Sequence, residues 1–226
     1  MHIPDGFLSD GVAAACWVPT VAIVAVAVRK ANDSLDERRV PLLGVTAAFI
    51  FAVQMLNFPV AGGTSGHLLG AALAAILLGP WLACLVMAVV IAAQAFVFAD
   101  GGVTALGANV LNMGLFGALA VGFGMVLARR ILPKTPSALL AVTAAGSWLA
   151  VMLGAAATSV ELALSDTVPL STVLPAMLGV HALIGIGEAV VTVAAVAAVL
   201  ASRPDLIWAR EPSYEFDHRG LEPSGV

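Results

Sequence analysis

Apolar residues run along this chain in long uncharged blocks, separated by glycine, proline and small clusters of charge. Seven blocks stand out, at 12–28, 42–56, 68–78, 81–99, 103–128, 138–160 and 172–200. A helix needs about 20 residues to cross ~30 Å of hydrocarbon at ~1.5 Å per residue, so the pattern predicts a bundle of membrane-spanning helices. The third block is short for a span. Gly79-Pro80 follows it directly, which predicts a turn between two membrane segments rather than a kink in one long helix.

Composition agrees with the pattern. Of 226 residues 61% are hydrophobic and only 11% charged, against about 25% charged in a soluble domain. The basic residues fall in three groups: Arg29, Lys30, Arg38 and Arg39; Arg129, Arg130 and Lys134; and Arg203, Arg210 and Arg219. The positive-inside rule makes all three cytoplasmic. An even number of crossings then separates Arg39 from Arg129, so 68–78 counts as a crossing. The expectation is an all-α polytopic membrane protein of about seven transmembrane helices, N-terminus outside and C-terminus cytoplasmic. Residues 1–202 form one membrane domain and 203–226 a polar cytoplasmic tail. The first block has no basic residue before it and Asp5 and Asp10 at its approach, flanks unlike those of a signal peptide. Net charge is −4 and no block is basic enough to neutralise nucleic acid. Cys16 and Cys84 lie inside apolar blocks and read as small buried hydrophobes.

Ionisable residues inside a bilayer are costly, and the few present carry information. Glu188 lies deep in the last block, and His181 precedes it by seven residues, two helical turns away on the same face. The two read as an intramembrane polar pair, serving either as a ligand or proton relay or as a hydrogen-bonded strut, with Asn109 and Asn112 as further partners. Neither Lys30 nor Lys134 follows a glycine, so the phosphate cradle of an ATPase is missing. On the outer side stand His2 and, closing the run Gly62-Gly63-Thr64-Ser65-Gly66, His67. A Met-His terminus can chelate a metal through its α-amine, the deprotonated His2 amide and the imidazole Nδ1, with His67 as fourth ligand. Four nitrogens in a plane suit nickel(II), copper(II) or low-spin cobalt(II) rather than zinc, magnesium or calcium. The plainer reading makes His2 a polar terminal residue and His67 a helix cap.

The residues Met1-His2-Ile3-Pro4-Asp5-Gly6-Phe7-Leu8-Ser9 resemble the N-terminus of the CbiM/NikM family, the metal-binding S components of cobalt and nickel energy-coupling factor (ECF) transporters. The resemblance continues through Gly63 to Gly70, Phe98 to Gly102, Ala105 to Asn109, Asn112-Met113-Gly114 and His181 to Ala189. It implies that Met1 is retained and that Met1, His2 and His67 hold the metal, at an outer-face site made by the N-terminus and the 58–67 loop. Gln54, Asn57, Thr64 and Ser65 are expected to orient the imidazole by hydrogen bonds. It further implies capture of cobalt(II) or nickel(II) as transported ligand, leaning to cobalt for cobalamin synthesis, with no resident cofactor and no catalytic residue. The implied partners are a transmembrane coupling protein, a pair of cytoplasmic ATPases and a small additional membrane subunit, in a bacterial or archaeal cytoplasmic membrane. Two alternatives come from other classes. Gly63-Thr64-Ser65-Gly66 fits the Gly-x-Ser-Gly pattern of rhomboid intramembrane proteases, with Ser65 and His181 as a dyad. A stand-alone cation permease would need an inverted repeat and a polar midplane pathway, and the spacing of the blocks supplies neither.

Overall fold

The computed structural model describes residues 1–35 and 39–210. Arg38 and residues 211–226, Arg219 included, lie outside the described residues, so the expected tail is described only as far as Arg210. Seven helices follow one another: α1 (Asp10–Ser34), α2 (Arg39–Gln54), α3 (Ala71–Leu78), α4 (Pro80–Phe98), α5 (Leu106–Ile131), α6 (Pro136–Leu164) and α7 (Leu170–Ser202). Five of them, all but α2 and α3, are long and apolar enough to cross a membrane. The chain is an all-α, multi-pass membrane protein. Capping is local and legible: Ser9 Oγ accepts from Val12 N–H before α1, and Thr135 Oγ1 accepts from Ala138 N–H before α6. Proline opens both α4 and α6, where its missing N–H costs nothing.

Helix α3 has only eight residues, all buried, and reaches about 12 Å. The rest of that segment is irregular chain, and its course can be traced against α7. A side chain at Gly63 would meet Met177, Leu69 and Gly70 bond to Glu188, and Gly79 packs on Trp208 just beyond α7. Residues 63–79 therefore travel in the same direction as α7, half as loop and half as helix. Gly79, at φ +86°, makes the sharp turn into α4, and a Cβ there would lie 2.9 Å from the Trp208 ring. Non-helical backbone at such depth is tolerated only when protein satisfies its polar groups, and here the satisfying groups come from α2 and α7.

Helices α6 and α7 pack along their length as a hairpin, with Trp148 Nε1–H donating to the Ala182 carbonyl at 3.1 Å. Their outward faces, with those of α1 and α2, carry exposed Val18, Val45, Leu149 and Leu183, a surface suited to lipid. Helix α5 contains a π turn at Leu111–Leu115. A two-residue antiparallel ladder, Phe58 with Gly66 and Pro59 with Ser65, closes the loop after α2 and lays Ser65 under the N-terminus.

Candidate metal centre

The first eight residues form no helix, yet Met1 and Ile3 are fully buried and His2 is 4% exposed. Specific clamps hold them. Ile3 N–H donates to Asn109 Oδ1 at 2.8 Å, and its carbonyl accepts from Asn109 Nδ2 at 3.1 Å and from Gly102 N–H at 2.8 Å. Asp5 Oδ1 accepts from the Thr104 amide and hydroxyl at 2.7 and 2.6 Å; these bonds hold the Asp5 carboxyl below its usual range. The Met1 thioether fills the space over Gly154, where a Cβ would lie 3.2 Å from its sulfur. An extended segment is thus threaded into the bundle between the start of α5 and the middle of α6.

The threading delivers the α-amine to Ser65. Its hydrogens go to the Ser65 carbonyl and, at 2.9 Å, to Ser65 Oγ, while the His2 amide donates to the same Oγ at 3.2 Å. Burial pushes the amine down from 8.0 to about 4. At neutral pH it is an NH2 group with both hydrogens used and its lone pair left over.

The His2 ring stacks on that of His67, centroids 4.6 Å apart and planes at 27°. One turn of chain at the end of α4 brackets it. Gln94 Oε1 lies 3.1 Å from His2 Nε2, which assigns the ring proton to Nε2 and leaves Nδ1 bare. Asp100 Oδ1 stands 3.3 Å from that bare Nδ1. Burial, helped by the nearby amine, pushes the His2 imidazole down to about 4 against the opposing pull of Asp100, so the neutral ring turns its bare Nδ1 toward the carboxyl group. A cation between the two would satisfy both. His67 shares the arrangement: Nδ1 donates to the Leu68 carbonyl at 2.8 Å, Nε2 is buried without a hydrogen-bond partner, and burial lowers its pKa well below 6.5.

The remaining expected residues are distributed unevenly. Ser65 serves the terminus, as above. Gln54 Nε2 donates to the Leu69 carbonyl at 2.5 Å and Asn57 Nδ2 to Asp100 Oδ2 at 3.2 Å; Thr64 Oγ1 is buried without a partner among the described residues. These three do not bond the His67 ring, whose Nδ1 goes to the backbone instead. The expected pairing of His181 with Glu188 is corrected. Seven residues put them about 10 Å apart along the helix, and each serves a different level. His181 Nδ1 bonds the Met177 carbonyl at 2.7 Å, and its ring also approaches the Ser65 carbonyl. Glu188 accepts from the Leu69 and Gly70 amides at 2.8 and 2.7 Å. No hydrogen bond joins His181 to Ser65 Oγ among the described residues, so the protease dyad is not assembled.

Sequence reasoning missed Gln94, the clamp role of Asn109, and Glu161. The block at 138–160 stopped just short of Glu161; the structure has it inside α6 and 8% exposed, accepting from Asn112 at 2.5 Å and from Cys16 Sγ at 3.3 Å. Asn112 thus serves Glu161, and neither asparagine reaches His181 or Glu188. Gln94 carried a signal: it is the one amide in the apolar run from Pro80 to Phe98.

The fold defines the class, a multi-pass membrane protein whose buried N-terminus meets two imidazoles. Comparison with known proteins narrows it. Residues 2–206 match the CbiM family, described as the cobalt uptake substrate-specific transmembrane region. A provisionally named metal transport protein of Haloquadratum walsbyi is 40% identical over 99% of this chain and 98% of its own. The cobalt transport protein CbiM of Sorangium cellulosum is 34% identical over 92% and 94%. The fused nickel transport protein NikMN of Rhodobacter capsulatus is 36% identical over 92% of this chain, which spans 64% of that longer protein. A crystal structure of a truncated transition metal transporter superposes with a TM-score of 0.81 at 34% identity, covering 89% of this chain and 99% of the other. The chain belongs to the CbiM family.

Proposed function

We propose that the chain is the substrate-binding membrane subunit of an ATP-driven ECF importer for cobalt(II) or nickel(II). The observation that carries the reading is the meeting of the Met1 amine, the His2 amide and imidazole, and the His67 imidazole, with bare lone pairs on the amine and on both rings. Loss of the His2 amide proton completes four nitrogens. Such a set suits late first-row divalent ions, in keeping with relatives named for cobalt and for nickel transport.

Each residue has a task in capture. Ser65 holds the amine, Gln94 fixes the His2 tautomer, and the Leu68 carbonyl fixes that of His67. The clamps at Asn109, Gly102 and Thr104 keep the terminus seated, so the ligands are ordered before metal arrives and little entropy is lost on binding. The sequence has no phosphate-binding loop, so ATP hydrolysis falls to a separate ATPase pair, linked through a transmembrane coupling protein and joined by a small further membrane subunit. We favour cobalt, the ion in the family's description.

The test is calorimetry with nickel(II) and cobalt(II), comparing the native terminus with a variant carrying one residue before Met1. Every side chain is kept while the amine becomes an amide. Loss of tight binding is expected; unchanged affinity and stoichiometry would refute the terminal site.

A further inference from the structure

The nitrogen ligands are closed off from water. Met1, His2 and His67 are 0%, 4% and 1% exposed, so an arriving ion must be admitted past something at the rim. Asp100 occupies that position. Its side chain is 18% exposed, with Oδ1 3.3 Å from His2 Nδ1 and Oδ2 accepting from Asn57, which is itself exposed. It follows directly on α4, its amide donating to the Gln94 carbonyl at 3.0 Å, and Gln94 is the residue that holds the far side of the His2 ring. The same turn therefore sets the ring's orientation and puts a carboxylate on its open nitrogen.

Charge gives the carboxylate a second task. A divalent ion bound to a neutral amine, two neutral imidazoles and one deprotonated amide carries a net charge of +1. The His2 N–H bond breaks, its electron pair becomes a metal–nitrogen bond, and one proton leaves to water. A buried net charge without a partner is strongly unfavourable. Asp100 supplies one negative charge beside the site, and the assembly becomes neutral.

Resting on the metal site proposed above, we infer that Asp100 is the first-contact ligand and the counter-charge of the captured metal. The hydrated divalent cation is held first at its carboxylate, passes to the four nitrogens, and leaves Asp100 beside the finished complex.

The test is stopped-flow association of nickel(II) chloride with the full chain in nanodiscs, with the nickel d–d absorption recorded at saturation. Asp100→Asn is expected to slow association about tenfold or more and to flatten its ionic-strength dependence. The absorption band should stay in place, because the four nitrogens are untouched. Asp166→Asn, at an exposed position elsewhere, removes the same unit charge and should leave the rate within about twofold. Association at the native rate in Asp100→Asn overturns the inference, as does a displaced band, which would make Asp100 part of the ligand plane. Should Asp100→Asn fail to fold, Asp100→Glu decides: near-native association with steep salt dependence supports the counter-charge, and a tenfold loss overturns it. A native chain without a nitrogen-plane band refutes the underlying metal site instead, a result distinct from the other outcomes.

Discussion

Replacing Glu188 with Ala removes no proposed metal ligand, yet it should weaken metal binding strongly. The carboxylate accepts two backbone N–H groups, Leu69 at 2.8 Å and Gly70 at 2.7 Å, one turn from His67. Leaving a buried N–H group without its acceptor costs about 1–3 kcal/mol, so the two amount to roughly 2–6 kcal/mol. Water entering the cavity would recover part of this. A remaining cost near 3 kcal/mol, expressed as loss of order in the 67–70 turn, corresponds to about a hundredfold rise in Kd. Glu188→Gln keeps one acceptor and turns an NH2 group toward the other amide, and should lie between Ala and native. Nickel titration by calorimetry reads both, with hydrogen exchange at Leu69 and Gly70 reporting whether the turn has opened. A Kd within threefold of native in Glu188→Ala, with those amides still protected, would refute the claim that α7 positions His67.

Proton competition offers a second check. Above the values of about 4 to which burial lowers the Met1 amine and His2 imidazole, these groups are already deprotonated and only the His2 amide must release a proton. The logarithm of affinity should therefore fall by about one per pH unit from pH 8 to 6, and more steeply near pH 4; an affinity independent of pH would exclude the amide ligand. His67→Ala should abolish tight binding. Ser65→Ala keeps the backbone carbonyl and loses only the hydroxyl bonds, so about a tenfold rise in Kd is expected, measured by the same titration. Gly102→Ala would drive a Cβ into the backbone of Pro4 and Asp5, and should expel the terminal segment, seen as lost binding with the four nitrogen ligands unaltered.

The long helices were legible because hydrocarbon thickness sets their length, and the block boundaries agree with α4 and α7 to within two residues. The short third segment was legible only as an anomaly. Its glycine-rich approach signalled irregular chain, but the residues that satisfy that chain, Gln54 and Glu188, lie 15 and 119 positions away, beyond the reach of any local pattern. Glu161 fell outside its block because a charge normally ends an apolar span, whereas here Asn112 from α5 lets the helix carry it inward. The meeting of Met1, His2 and His67 was implied by the family resemblance of the N-terminus, with which the affinity of those nitrogens for one ion agrees. The hydrogen bonds from Gln94 and Asn109 that hold them were hidden, since a lone amide in an apolar run announces a partner without naming it.

The half-helical third segment also bears on how the protein is made. Eight helical residues and an irregular approach cannot shelter their own backbone in lipid, and the carboxylate that caps them is synthesised nearly 120 residues later. Until α7 has been inserted, the third segment has no stable seat and the loop bearing His67 has no fixed shape. The proposed metal site is therefore complete only once the last helix is in place.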